Sequence, residues 1–132
     1  MDLEVLKIAS NTENNKILQD YTHSSKLKNS ICGDEIQIKL IIKEDKIVDF
    51  GYQGHSCVYC QASASLLSKI SINKKKDKIN ELCNDATSYF DGNKEIISKK
   101  WLFLKKLFNN KNLNKKSCIL LPFKTLKKIV SD

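Results

Sequence analysis

From Ile36 to Tyr52 apolar and polar residues alternate with a period of two, broken once by a short polar step, and this pattern points to a β-hairpin. Ile36, Ile38, Leu40 and Ile42 share one face, Gln37, Lys39 and Lys43 the other, and Ile41 is the one exception. Glu44-Asp45 makes the connection without the Gly or Asn that a tight hairpin turn prefers. Val48, Phe50 and Tyr52 then alternate with Asp49 and Gly51. One face of such a hairpin is apolar and must be covered by other elements.

The rest of the chain supplies helices to cover it. Residues 2–23, with Leu3, Leu6 and Ile8 and then Ile17, Leu18 and Tyr21, read as one interrupted or two short helical segments, followed by a loop from His23 to Gly33. The glycines of Gly51-Tyr52-Gln53-Gly54 mark a bend, and Ser56 is the expected N-cap of a helix from about Cys57 to Ile72. Its small residues Ala62, Ser63, Ala64 and Ser65 permit close approach to another backbone.

After a solvated connection at Lys74-Lys75-Lys76, a second helix over 77–90 buries Ile79, Leu82, Cys83 and Ala86 and stops at Asp91-Gly92-Asn93. Residues 95–108 place Ile97, Trp101, Leu104 and Phe108 on one helical stripe opposite Lys99, Lys100 and Lys106. A basic amphipathic helix can lie on a membrane, but this one carries aromatic residues that a small core needs, so it is read as core cover. An Asn- and Lys-rich loop follows at 109–116. Pro122 then predicts a loop or single turn around Cys118, with regular helix only beyond it. The expected architecture is α+β over residues 1–132 as a single domain: a small antiparallel sheet with helices packed on one face.

Composition narrows the function. With 132 residues, 41% of them hydrophobic, the chain can bury one modest core. The formal net charge is +8, and all 23 basic residues are lysine. Together with 12 asparagines and 15 isoleucines this is the residue set of AT-rich codons, so the charge reflects base composition and not a polyanionic partner. Arginine, whose fork reads guanine edges, is absent, and no specific nucleic-acid partner is expected. No stretch is apolar enough to span a membrane, and Met1-Asp2-Leu3-Glu4 does not open a signal peptide, so a cytoplasmic protein without a membrane partner is expected.

Five cysteines, at 32, 57, 60, 83 and 118, carry the chemistry. An odd number without an export signal argues against a disulfide framework and for metal-binding, catalytic or buried thiols. Cys83 falls on a core stripe, whereas Cys32, Cys57 and Cys118 sit at element boundaries, where a scaffold can present side chains to one point. A helix start stabilises negative charge, including that of a thiolate, and Cys57 is expected at one. Asp34, in Cys32-Gly33-Asp34, adds a carboxylate. Three thiolates and one carboxylate suit tetrahedral Zn2+ or an iron-sulfur site in which the weaker oxygen ligand eases release.

Cys57-Val-Tyr-Cys60 is also a CxxC, but the βαβ context of a thioredoxin-like pair is absent, and Cys60 is read as packing beneath the site. His55 is read as an exposed loop residue, and His23 has no assigned role.

Three blocks of this sequence resemble the IscU/NifU-like iron-sulfur scaffold family: Cys32-Gly33-Asp34; Gly54-His55-Ser56-Cys57 with Gln61-Ala62-Ser63-Ala64-Ser65-Leu66; and Cys118-Ile-Leu-Leu-Pro-Phe. The resemblance spans about residues 15 to 130, and the helix block is its most specific part. It implies a SufE/NifU-like (IscU-like) fold, with Cys32, Asp34, Cys57 and Cys118 as ligands of zinc or of a transient 2Fe-2S cluster. It further implies that Cys57 or Cys118 accepts persulfide sulfur from a cysteine desulfurase, and that apo iron-sulfur proteins receive the product.

Two departures refine this. Ser117-Cys118 replaces the His-Cys pair of IscU, and the Leu-Pro-Pro-Val-Lys motif is missing, so no dedicated Hsp70-type chaperone partner is implied. The 60 residues between Cys57 and Cys118 resemble the longer spacer of the SufU-type branch, which holds zinc and relays sulfur from SufS. The segment before the first cysteine, Asn29-Ser30-Ile31, departs from the family's Asn-Pro. The implied role is a scaffold or a zinc-dependent sulfurtransferase-type acceptor in place of a turnover enzyme. The residues alone leave a purely structural zinc-binding interaction module, and thiol-disulfide exchange through Cys57 and Cys60, as alternatives.

Overall fold

The computed structural model describes residues 3–31, 33–92 and 95–131, without the side chains at 96, 98 and 99. Helix α1 (Leu3–Ala9) precedes three strands, β1 (His23–Lys28), β2 (Glu35–Lys43) and β3 (Lys46–His55). Helices α2 (Val58–Ser71), α3 (Lys76–Phe90) and α4 (Glu95–Lys100) follow. Two 3-10 turns, Leu102–Lys106 and Asn110–Lys115, then lead into α5 (Lys116–Val130). The sheet is antiparallel in the order β1-β2-β3. Its buried face, Ile36, Ile38, Leu40, Ile47, Phe50 and Tyr52, lies under α2 and α5, which is the expected α+β arrangement.

The hairpin closes without glycine because Glu44 and Asp45 both adopt left-handed backbone, φ 52° and 64°. Two consecutive left-handed residues give the turn twist that matches paired strands. A register shift between Ile41 and Ile42 makes Val48 an extra residue, since Ile41 faces Asp49 while Ile42 faces Ile47. The bulge turns Ile47 into the core and leaves Val48 half-buried, where strict alternation predicts Val48 inside.

The N-terminal third departs most from expectation. His23–Lys28 is a strand, not a loop, paired with β2 from His23 opposite Leu40 to Lys28 opposite Glu35. It lies at the sheet edge with only Leu27 apolar, so it carries no alternating signal. The second helical segment does not form. Residues 10–22 instead run along β3 and α2: Asn14 accepts from the Tyr52 amide at 3.1 Å, its side-chain amide donates to Ser68 Oγ at 3.0 Å, and Ser65 Oγ donates to the Asn11 carbonyl at 2.8 Å. This crossing explains Gly51, because a Cβ there would lie 2.8 Å from the Lys16 carbonyl oxygen. The expected bend is therefore absent, and β3 runs through to His55.

Cys57, not Ser56, occupies the N-cap position of α2, with no side-chain cap. The lysine run before α3 is bonded to the hairpin: Lys76 N–H donates to Asp45 O at 2.7 Å and Ile47 N–H to Lys74 O at 2.9 Å. Asp91 ends α3 as expected, while Asn93 lies outside the described residues.

Ile97, Trp101, Leu104 and Phe108 are all buried, but not on one helix. Trp101 is non-helical, φ −128° and ψ 53°, and the tighter 3-10 turn after it lets Leu104, Leu107 and Phe108 all turn inward. The side chain of Lys99 is outside the description. The segment expected as a loop at 109–116 contains the second 3-10 turn, and α5 begins at Lys116 despite Pro122. Burial of every residue from Cys118 to Phe123 holds this helix through the proline.

Candidate metal and cluster site

Asp34, Cys57 and Cys118 meet at one point. One ligand atom from each, a carboxylate oxygen and two Sγ atoms, lies within 4.8 Å of the others. Each arrives from a different element: Asp34 directly precedes β2, Cys57 follows β3 at the N-cap position of α2, and Cys118 is the third residue of α5. Cys118 therefore lies in the first turn of α5 and not in a turn before it. The N-terminal ends of two long helices converge here, and neither helix has an acidic residue in its first turn. Lys115 stands at the N-cap of α5 with its ammonium 5.7 Å from the Tyr59 ring centroid.

Gly54 brings the site's walls together. It pairs with Ile36, and a Cβ at Gly54 would collide with the Glu35 backbone, so the strands can close beside Asp34 only with glycine here. Asp34 is 7% exposed. One carboxylate oxygen accepts the Cys57 amide at 3.2 Å; the other, Oδ2, is buried with no hydrogen-bond partner among the described residues. A buried carboxylate oxygen left unpaired is unfavourable unless a cation completes it. Two thiols and this oxygen fit zinc or iron.

Cys32 lies outside the described residues, so three of the four expected ligands are seen together. Cys60 is fully buried and does not join the cluster among the described residues, in keeping with packing beneath it. His55 is exposed at the end of β3. Cys83 is buried in the core, and burial pushes its thiol up to about 12, with Lys127 opposing the shift. The sequence reading overlooked the role of Gly54. A glycine one residue before the end of a strand and three before a cysteine was its only signal.

The model of the NifU-like N terminal domain family matches residues 2–92. The chain belongs to this family. An IscU iron-sulfur cluster assembly scaffold protein of Thermotoga maritima is 32% identical over 111 residues, covering 83% of this chain and 78% of that one. A protein of Fervidobacterium islandicum described as a SUF-system scaffold superposes with a TM-score of 0.85 at 24% identity, over 95% of this chain and 92% of that one. The N-terminal part of a NifU-like protein of Brucella abortus superposes with a TM-score of 0.80 at 16% identity, over 97% and 90%. The two structures share the α+β fold of this NifU-like chain.

Proposed function

We propose that this NifU-like chain is an iron-sulfur cluster assembly scaffold that takes persulfide sulfur from a cysteine desulfurase and, once two electrons from an external thiol reductant have converted that sulfur to sulfide, passes it in a transient 2Fe-2S cluster to apo iron-sulfur proteins. The observation that carries the reading is Oδ2 of buried Asp34, without a partner among the described residues, beside the Cys57 and Cys118 thiols. Family membership and the scaffold names of its relatives support it. Cys32, two residues before Asp34, is proposed as the fourth ligand. Zinc, when bound in place of the cargo, would hold the thiolates poised for exchange.

Cys57 is the more accessible of the two clustered thiols, since Cys118 is 6% exposed. Its thiolate attacks the terminal sulfur of the desulfurase persulfide. A new S–S bond forms on Cys57, the partner's S–S bond breaks, and the partner cysteine leaves as a thiolate. Such chemistry requires reduced thiols, which a reducing compartment such as the cytoplasm supplies.

Elemental analysis of oxygen-protected protein tests this. Zinc, or iron with acid-labile sulfide, is expected in the wild type and lost in Cys57→Ser, Cys118→Ser and Cys32→Ser, but kept in Cys60→Ser. Zinc that resists alkylating agents and exchange with a desulfurase would identify a closed structural module. No bound metal in any form would overturn the site.

A further inference from the structure

Ser63 is fully buried in α2, six residues beyond Cys57, and its hydroxyl donates to the Ile119 carbonyl at 2.5 Å. A buried hydroxyl is tolerated only where it finds a partner, and this one reaches across to another helix. The other buried serines of α2 do not: Ser71 donates to Leu67 and Ser68 to Ser65 within the helix, and Ser65 donates to Asn11. Ser63 is thus the one serine hydroxyl among these that ties α2 to α5. Its acceptor belongs to the residue immediately after Cys118. Pro122, having no N–H, cannot give the Cys118 carbonyl its ordinary helical bond, so the turn bearing this thiol is held less firmly by its own helix.

We propose that Ser63 is a positioning residue that fixes the separation of the Cys57 and Cys118 thiols by pinning α2 to the first turn of α5. This rests on the metal-site reading above. Two ligands carried by different helices keep their spacing only if those helices cannot slide, and ligand sites tolerate displacements of about half an ångström. Ser63 supplies no ligand atom to the cluster and acts through the Ile119 carbonyl.

The test loads the full chain with Co2+ and Zn2+ and compares wild type, Ser63→Ala, Ser63→Thr and Ser71→Ala. Ser63→Ala is expected to weaken zinc binding about tenfold, as loss of a group that orients a ligand does, and to shift the cobalt ligand-field bands. Ser63→Thr keeps the hydroxyl and is expected to retain the wild-type bands, even if the added methyl lowers Tm. Ser71→Ala removes a buried hydroxyl bonded within α2 and is expected to lower Tm with no change in the bands. Affinity that follows Tm and not the hydroxyl would overturn the proposal, as would altered bands in Ser63→Thr, which decide the matter if Ser63→Ala does not fold. A wild-type chain with no cobalt signal would refute the metal site itself and the role of Ser63 with it, whereas a wild-type signal unchanged in Ser63→Ala would refute Ser63 alone.

Discussion

Asp34 accepts the backbone N–H of Cys57 at 3.2 Å while its second oxygen is buried without a partner among the described residues, so one carboxylate both fixes a ligand and keeps an oxygen free for a cation. These roles separate in Asp34→Asn, which keeps an acceptor for the amide and removes the charge. The metal-free variant is expected to be more stable than wild type by about 1 kcal/mol, because a buried unpaired ionic oxygen is relieved. Zinc affinity is expected to fall by at least about tenfold. Urea unfolding with chelator present and zinc competition measure the two, and a less stable metal-free variant would show that the carboxylate is already satisfied.

Gly54 sits where β3 passes the beginning of β2, and its missing Cβ makes room for the Glu35 backbone. Gly54→Ala must push the strands apart next to Asp34. A loss of about 3 kcal/mol is expected, in the range of overpacking, together with loss of metal binding. Gly92→Ala, at a position with open space around it, is the comparison. Equal zinc affinity in Gly54→Ala and wild type would show that the site does not depend on this strand contact.

The parts of the fold legible in the sequence were those with a strong period. Ile36 to Leu40 on β2, and Ile79, Leu82, Cys83 and Ala86 on α3, are buried as their spacing predicts. The grouping of Asp34, Cys57 and Cys118 was legible because these residues stand outside such periods. What escaped depends on tertiary contact: β1 is polar because it is an edge strand, and residues 10–22 owe their path to bonds with Tyr52, Ser65 and Ser68. The path of 95–108 follows from Trp101, whose indole N–H donates to Asp85 at 2.7 Å and breaks a stripe that looked continuous. Pro122 misled because burial on the core outweighs one lost helical bond.

The hairpin turn leaves room for improvement. Glu44 and Asp45 hold left-handed backbone that Asn-Gly adopts readily, and the bond from Lys76 N–H to the Asp45 carbonyl needs no side chain. The double variant Glu44→Asn/Asp45→Gly is expected to gain about 1 kcal/mol, most of the penalty for one left-handed residue. The gain should appear as a higher urea midpoint with an unchanged slope, and a lower midpoint would mean that these side chains contribute more than their backbone strain.

Burial of Cys83 makes stability fall at alkaline pH. The unfolded chain loses this thiol proton near 9, whereas the folded chain keeps it to about 12, so the unfolded state binds fewer protons in between and gains on the folded one as pH rises. Below about 9 the contribution is fully present. Tyr52 and Tyr89, both raised by burial, act in the same direction at slightly higher pH. Tm is therefore expected to drop between pH 9 and 11. Cys83→Ala, though less stable at pH 8, should show a shallower drop, and parallel curves would exclude this thiol as the cause.

Among the described residues, differences in burial also rank the thiols by reactivity. Cys57 is half-exposed, Cys118 is 6% exposed, and Cys60 and Cys83 are fully enclosed. Brief treatment of the metal-free folded chain with iodoacetamide, followed by peptide mass spectrometry, is expected to modify Cys57 first and Cys118 more slowly. Cys60 and Cys83 should react only after unfolding. Added zinc should protect Cys57 and Cys118 together, since their sulfurs share one cluster with Asp34. If Cys60 reacted as fast as Cys57 and zinc protected neither, the metal site would fail and the CxxC pair would have to be read as an exchangeable dithiol.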